Sequence, residues 1–457
     1  MEVISNELEY KPKVSNHSTI LYRQVSPQQA GTINLVSSAP SGLSEFIISP
    51  SVWNPSKSKL NFTIYCGDVV NNYNYINANL LTAISRVVLY DSATNAVWCD
   101  CSNFEKYASL MTPLGTHIDD FITKDTGGGA SATTTLKYSD DIVKSFIDTN
   151  NASQSDNTSV NLYTNNPFLS RRQYYIGAVG TGGTAGNLYV RASVPLSAFK
   201  FTALALDKQM YAPSNLVLQI YWNRTDNFAF QTTSATNPAS GLSVAVATIS
   251  EISLTLANEG NLAITSQVIN KVMSEGLQLA IPYPTTTRQS ISSSSAHSYN
   301  LQLTRGYGNR ILFLATAPFS AGTPLGTQYP NLYNAHTPVN ISTINTFINN
   351  VALKSQSGFD VVKGEDLSIA NKKLINKCAI QTLSDYYNSD YVFIDSFVGE
   401  RPLCEIDTTE IDGLDVGTQS STWQIQTTLS SATAYNYITA IVGQKTLSIS
   451  NQGSMVM

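Results

Sequence analysis

Short runs in which apolar and polar residues alternate dominate the chain. Glu45 to Ser49, Leu60 to Cys66, Ser85 to Tyr90, Asn187 to Val194, Leu216 to Trp222 and Ser243 to Leu256 are all rich in β-branched or aromatic residues. Side chains on a strand point alternately to opposite faces, so such runs read as strands with one face in a core. Long polar stretches separate them: Gly127 to Thr135, Asp148 to Ser159, Gly180 to Gly186 and Thr232 to Gly241. None holds enough apolar residues for a core of its own, and loops of this length are usually functional or packed by a partner. Residues 1–30 lack a sustained period and read as an arm that orders only against something else.

Helical spacing occurs in three places. Phe104, Tyr107, Ala108 and Met111 follow i, i+3, i+4, i+7, with Asn103 ahead and Pro113 behind, which predicts a short helix lying on a sheet. A second helix is expected from Glu259 to Glu275, with Ile264, Val268, Val272 and Met273 on one face and Gly276 as its stop. It falls near mid-chain and reads as a linker. A third, from Ala370 to Tyr387, aligns Leu374, Ile375, Cys378, Ala379, Leu383 and Tyr386.

A weak internal repeat is the most informative feature. Ser253 to Gly260 (SLTLANEG) and Thr446 to Gly453 (TLSISNQG) align at their Asn-Glu-Gly and Asn-Gln-Gly ends. Upstream in each half stands a strand pair, Leu216 to Trp222 with Phe228 to Thr232, and Trp423 to Leu429 with Tyr435 to Val442. Their shared order points to a duplicated β domain. The 457 residues suit two domains better than one core. The expected division is residues 1–30 as an arm, 31–258 as the first barrel with long loops, 259–276 as a linker helix, and 277–457 as the second barrel with a tail.

Composition narrows the role. Charged residues make up 13% of the chain, against roughly 25% in a typical soluble protein. With 24 Tyr and 16 Phe, this suits surfaces covered by identical neighbours. A net charge of −5 with scattered basic residues lacks the basic face of a nucleic-acid binder, and the pairs Arg171-Arg172 and Lys372-Lys373 read as surface. The start, Met1 to Lys13, has no signal-peptide core and no apolar run is long enough to span a bilayer, so synthesis in a cytosol or nucleus is expected. The odd count of five cysteines fits reduced thiols better than a disulfide framework. Six glycosylation sequons, beginning at Asn16, Asn61, Asn151, Asn157, Asn223 and Asn340, read as by-products of composition.

The candidate chemical motifs each have a plainer reading. Gly180 to Ala185 (GTGGTA) resembles a dinucleotide loop, but strand, not a helix N-terminus, is expected behind it. Glu405, Asp407, Glu410, Asp412 and Asp415 lack the ligand spacing of a calcium hand, and period two puts Glu405 and Asp407 on one strand face. Cys99 and Cys101 face the same way on a strand without the other ligands a zinc site needs, so buried thiols are expected. His17, His117, His297 and His336 form no metal or triad motif, and there is no nucleophile elbow. No catalytic residue, cofactor or metal ligand is assigned.

Two segments carry a family resemblance. Pro282 to Arg288 (PYPTTTR) with His297 to Leu314 (HSYNLQLTRGYGNRILFL), and Asp390 to Glu405 (DYVFIDSFVGERPLCE) continuing to Asp415, resemble the second barrel of double jelly-roll major capsid proteins of the polinton-like virus, adintovirus and virophage type. The resemblance implies an all-β fold of two consecutive eight-stranded jelly-roll barrels with a few short helices. It implies homotrimeric, pseudo-hexameric capsomers assembling into the icosahedral capsid of a double-stranded DNA virus. The expected partners are further copies of the chain, then penton and minor capsid proteins, without sequence-specific nucleic-acid binding. Two other roles compete. A carbohydrate-binding lectin or adhesin would be expected to carry a secretion signal, and a polysaccharide-degrading enzyme needs a catalytic cluster.

Overall fold

The computed structural model describes residues 18–29, 31–35, 42–66, 73–77, 80–105, 107–108, 123–124, 136–137, 148–150, 152–155, 174–177, 188–225, 228–232, 243–244, 247–303, 310–316, 341–348, 351–352, 359–360, 403–407 and 421–457. In the first half, eight principal strands form: β1 (Ile20–Val25), β2 (Leu43–Ile48), β3 (Val52–Cys66), β4 (Ile84–Asp91), β5 (Val97–Ser102), β6 (Leu188–Pro195), β7 (Leu216–Trp222) and β8 (Ala247–Glu259). They pair antiparallel in two sheets, ordered β1-β8-β3-β6 and β2-β7-β4-β5. This interleaved order, 1-8-3-6 against 2-7-4-5, is that of a jelly roll, in which Greek-key crossovers alternate between two facing sheets. Strand β1 falls within the segment expected to be an arm, and residues 1–17 lie outside the described ones.

Alternation builds the core. Along β2, Ser44, Phe46 and Ile48 are buried, and along β7 Leu216, Leu218, Ile220 and Trp222 point inward with them. Trp222 meets the ring of Phe62 edge-on at 5.1 Å, and its Nε1 donates to the Ser44 hydroxyl at 2.8 Å, so the buried indole nitrogen is satisfied. After β5, Phe104, Tyr107 and Ala108 are buried as the spacing predicts. Asn103 precedes this turn of helix with φ +48°, and its carbonyl accepts from the Tyr107 N–H. Met111 lies outside the described residues, as does the helix expected around 370–387.

The barrel closes into helix α1 (Leu262–Ser274), whose Asn261 side chain accepts from the Ala263 and Ile264 N–H groups as an N-cap. Val272 is buried, with Ile264, Val268 and Ile269 half-buried beside it. Met273 was expected on this face but is 47% exposed, because it stands one residue round from Val272. Gly276 follows in the left-handed region at φ +75°, where a side chain would be strained, and turns the chain into the second half.

There the strands are β9 (Leu277–Leu303), β10 (Arg310–Thr316), β11 (Ile341–Ile348), β12 (Leu403–Asp407), β13 (Ser421–Ser450) and β14 (Gly453–Val456). At 27 and 30 residues, β9 and β13 far exceed the roughly 3–10 usual for a strand. Each does the work of two. The first part of β9 pairs with the last part of β13, which pairs with β10, and β10 with β12. The last part of β9 pairs with the first part of β13, which pairs with β11, and β11 with Phe359–Asp360. The register slips between Ile291 and Ala296, where one set passes to the other. Counted this way the orders are again 1-8-3-6 and 2-7-4-5.

The repeat read from sequence thus has a topological meaning. Leu216 to Trp222 and Trp423 to Leu429 hold the seventh-strand place of their halves, and Ser253 to Gly260 and Thr446 to Gly453 end the eighth. The other suggested correspondence fails. Tyr435 to Val442 is eighth-strand, whereas Ala229–Thr232 joins a separate sheet with Tyr73–Asn77.

Candidate assembly surfaces and the joint between the halves

That separate sheet is assembled from loops. Its order is Ala152–Ser155, Tyr174–Gly177, Tyr73–Asn77, Ala229–Thr232, Ser243–Val244. These segments come from the β3–β4, β5–β6 and β7–β8 connections, which all leave the same end of an antiparallel barrel. Short segments of all three connections therefore meet in one five-stranded layer at that end. Strand pairing satisfies their backbone groups where their composition supplies no core.

The joint between the halves is built on β5. Trp98 and Cys99 are adjacent and so face opposite sides, yet both are fully buried. Cys99 and Cys101 enter the first-half core, while Trp98 lies beneath the C-terminal strand and donates from Nε1 to the Ser454 hydroxyl at 2.8 Å. Asp91, at the end of β4 and also fully buried, receives four hydrogen bonds. Oδ1 accepts from the Ser214 hydroxyl at 2.6 Å and the Ala93 N–H at 2.9 Å. Oδ2 accepts from the Ser454 hydroxyl at 2.7 Å and the Ser454 N–H at 2.9 Å. Burial alone would raise the pKa of Asp91, but these donors outweigh it and hold the carboxyl below its ordinary value. Nearby, Ser102 and Thr286 hydrogen-bond across the same joint. A cavity of about 430 Å³ opens beside it, lined by Tyr283, Lys445 and Met455 among others, with the Lys445 Nζ 3.8 Å from the Tyr283 ring centroid.

A third surface is the outer edge of β1. Leu21 is 57% and Tyr22 62% exposed, and Leu262 at the start of α1 is 81% exposed. Gly260 lies against Leu21 so closely that a Cβ there would fall 2.8 Å from the Leu21 Cγ.

Among the described residues, those weighed for chemistry are not drawn together. Cys66, Cys99 and Cys101 are free, buried thiols; burial pushes Cys66 and Cys99 up to about 12 and Cys101 well above the ordinary thiol value, the opposite of a reactive thiolate. Glu405 and Asp407 lie on β12, and His297 is half-buried on β9. Gly180 to Ala185, Glu410, Asp412, Asp415, His17, His117 and His336 lie outside the described residues. The element that follows the glycine loop is strand β6, as its sequence predicts. Among the described residues no group of three or more His, Cys, Asp or Glu side chains could hold a metal ion, and no helix is long and apolar enough to cross a membrane. Sequence reasoning missed Asp91 and Ser454. They are 363 positions apart, and neither belongs to a motif.

No known family model matches the chain, and no curated protein does. Solved structures do resemble it. The crystal structure of the mavirus major capsid protein is 8% identical, with 100% of this chain and 95% of that one covered, at a TM-score of 0.53. The Sputnik virophage structure is 12% identical over 100% and 92%, at 0.46, and the quasi-atomic model of the PBCV-1 virus capsid 9% identical over 98% of each chain, at 0.48. The strand order repeated in both halves agrees with the full-length likeness to the mavirus protein: this chain has the double jelly-roll fold of major capsid proteins.

Proposed function

We propose that the chain is a viral major capsid protein, forming homotrimeric, pseudo-hexameric capsomers that assemble into the icosahedral capsid of a double-stranded DNA virus. The observation that carries this reading is the repetition of one jelly-roll strand order in a single chain. Three such chains bring six similar barrels around an axis, which fills a hexagonal lattice while needing only three-fold symmetry. The low charge supports it, since uncharged polar and aromatic surface can be covered by copies at little desolvation cost. The loop-built sheet at one end of the first barrel offers a broad surface for neighbouring chains or the outside.

On this reading residues 1–30 are an arm whose β1 docks on β8 as the first strand of the first barrel, residues 31–258 hold that barrel's other strands, 259–276 connects the halves, and 277–457 are the second barrel. The role is structural and not catalytic, with no cofactor or metal. The partners are other copies, then penton and minor capsid proteins, and nucleic acid is enclosed without sequence-specific contacts. The protein is made in the host cytoplasm or nucleus and resides in the virion. Purified protein should sediment at three times 49.6 kDa and show a hexagonal outline by negative-stain microscopy. A stable monomer that binds glycan would overturn the reading in favour of a lectin or adhesin.

A further inference from the structure

Strand β5 ends its sheet: among the described residues it pairs with β4 alone. One face of it belongs to the first barrel, through Cys99 and Cys101. The other face is covered from the second half. Trp98 is fully buried there and donates to Ser454, and Ser102 hydrogen-bonds with Thr286. Ile281, Leu447 and Ile449 of the second half belong to the same buried cluster as the first-barrel core. An edge strand that carries an indole on its outer face is a weak point unless something lies over it.

What lies over it is a hairpin. Strand β14 folds back on the end of β13, with Ser450 opposite Gly453 and Leu447 opposite Val456, and the Thr446 and Met457 backbones exchange two hydrogen bonds at 2.9 Å. Side chains alternate along β14: Ser454 is 3% exposed and turned onto β5, whereas Met455 is 58% exposed. The hairpin meets the turn between β4 and β5, in which the Asn95 N–H donates to the Asp91 carbonyl at 2.8 Å. Among the described residues, both hydrogen bonds that Asp91 Oδ2 accepts come from Ser454. Gly453 lies so close to that turn that a Cβ would fall 2.5 Å from the Thr94 Cγ2, and its φ of +120° is one at which a side chain is strained. Two turns from distant parts of the sequence thus clasp each other.

We infer that this hairpin is a latch on the first barrel: β5 and its turn are held closed only while β14 is docked, so the first barrel is completed after the second has been made. Without β14 the Trp98 indole is uncovered, and one oxygen of Asp91 is stripped of its protein donors. Solvent then replaces Ser454, and β4 is left to hold an edge strand with water on its outer face. Trp98 and Ser454 are 356 positions apart, roughly 20–70 s of synthesis. Through that interval the turn between β4 and β5 stays open. The inference concerns the joint alone, so its failure is distinct from failure of the capsid reading.

Hydrogen–deuterium exchange of the full-length chain, read by mass spectrometry, tests it. S454A removes a donor to Asp91 and the acceptor for Trp98, and G453A wedges the clasp apart. In both, peptides within residues 92–102 should exchange at least about tenfold faster than in the unsubstituted chain, while those of β6 change less than about twofold. M455A, whose side chain points away from β5, should change neither. In the unsubstituted chain, residues 92–102 and 447–456 should lose protection together as urea is raised below the main transition, a comparison that needs no variant to fold. Exchange of 92–102 within about twofold of the unsubstituted chain in both variants, an equal acceleration in β6 or with M455A, or separate urea profiles for the two segments would overturn the latch.

Discussion

Replacing Asp91 by Asn tests the joint between the halves with a change of one atom. The carboxylate accepts two donors on each oxygen: Ser214 and the Ala93 N–H on one, and the Ser454 hydroxyl and N–H on the other. Asparagine keeps one accepting oxygen and puts an NH₂ in place of the other, so in either rotamer one pair of donors faces a donor. Serine hydroxyls can rotate away, but the Ala93 or Ser454 N–H cannot. Hydrogen bonds to a charged group are worth about 1.5–3 kcal/mol each. Losing two of them, with partial recovery by the hydroxyl, should cost about 2–4 kcal/mol. For a cooperative unit of this size each kcal/mol lowers the melting temperature by roughly 2–4 °C, so a fall of roughly 4–16 °C is expected at pH 7 by calorimetry. The pH dependence supplies a second check. Because the folded-state pKa of Asp91 is depressed, its stabilisation is present above the unfolded value of 3.8 and is lost as pH falls through the folded value. The gap between wild type and D91N should therefore be full near neutrality and narrow below pH 3.8. A variant melting within about 1 °C of wild type at pH 7 would refute the reasoning.

Other outcomes follow from the same packing. Cys66, Cys99 and Cys101 should resist alkylation in the native state and react once the protein is denatured, as read by mass spectrometry, because burial raises their pKa values and blocks access. W222F removes the indole that fills the core against Phe62 and leaves the buried Ser44 hydroxyl without its donor, so denaturant titration should register a loss of about 1–3 kcal/mol. N261A removes the cap that receives the Ala263 and Ile264 N–H groups and should cost about 1 kcal/mol in the same titration. A loss below about 0.3 kcal/mol would show the cap to be idle.

The strands were legible because their signal is local. Leu216 to Trp222 alternates between an interior and a surface, and the observed strand has those bounds. The helix at α1 was legible for the same reason, through its period, its asparagine start and its glycine stop. Met273 shows the limit: a helical wheel ranks residues by hydrophobicity, but which of two neighbours is buried depends on where the opposing surface lies. Cys99 and Cys101 were correctly read as buried, whereas the adjacent Trp98 is buried for a reason outside its own sheet, the strand laid over β5 from the far end of the chain.

By itself, then, the sequence determined the element types, the low-charge surface and the duplication, since periodicity, composition and repeated order are written along the chain. The tertiary structure decided which strands pair, how β9 and β13 each serve two sheets, and that Asp91 meets Ser454. These depend on residues brought together from hundreds of positions apart. A local pattern records that a side chain wants burial or a partner; only the closed packing of both halves determines which partner it finds.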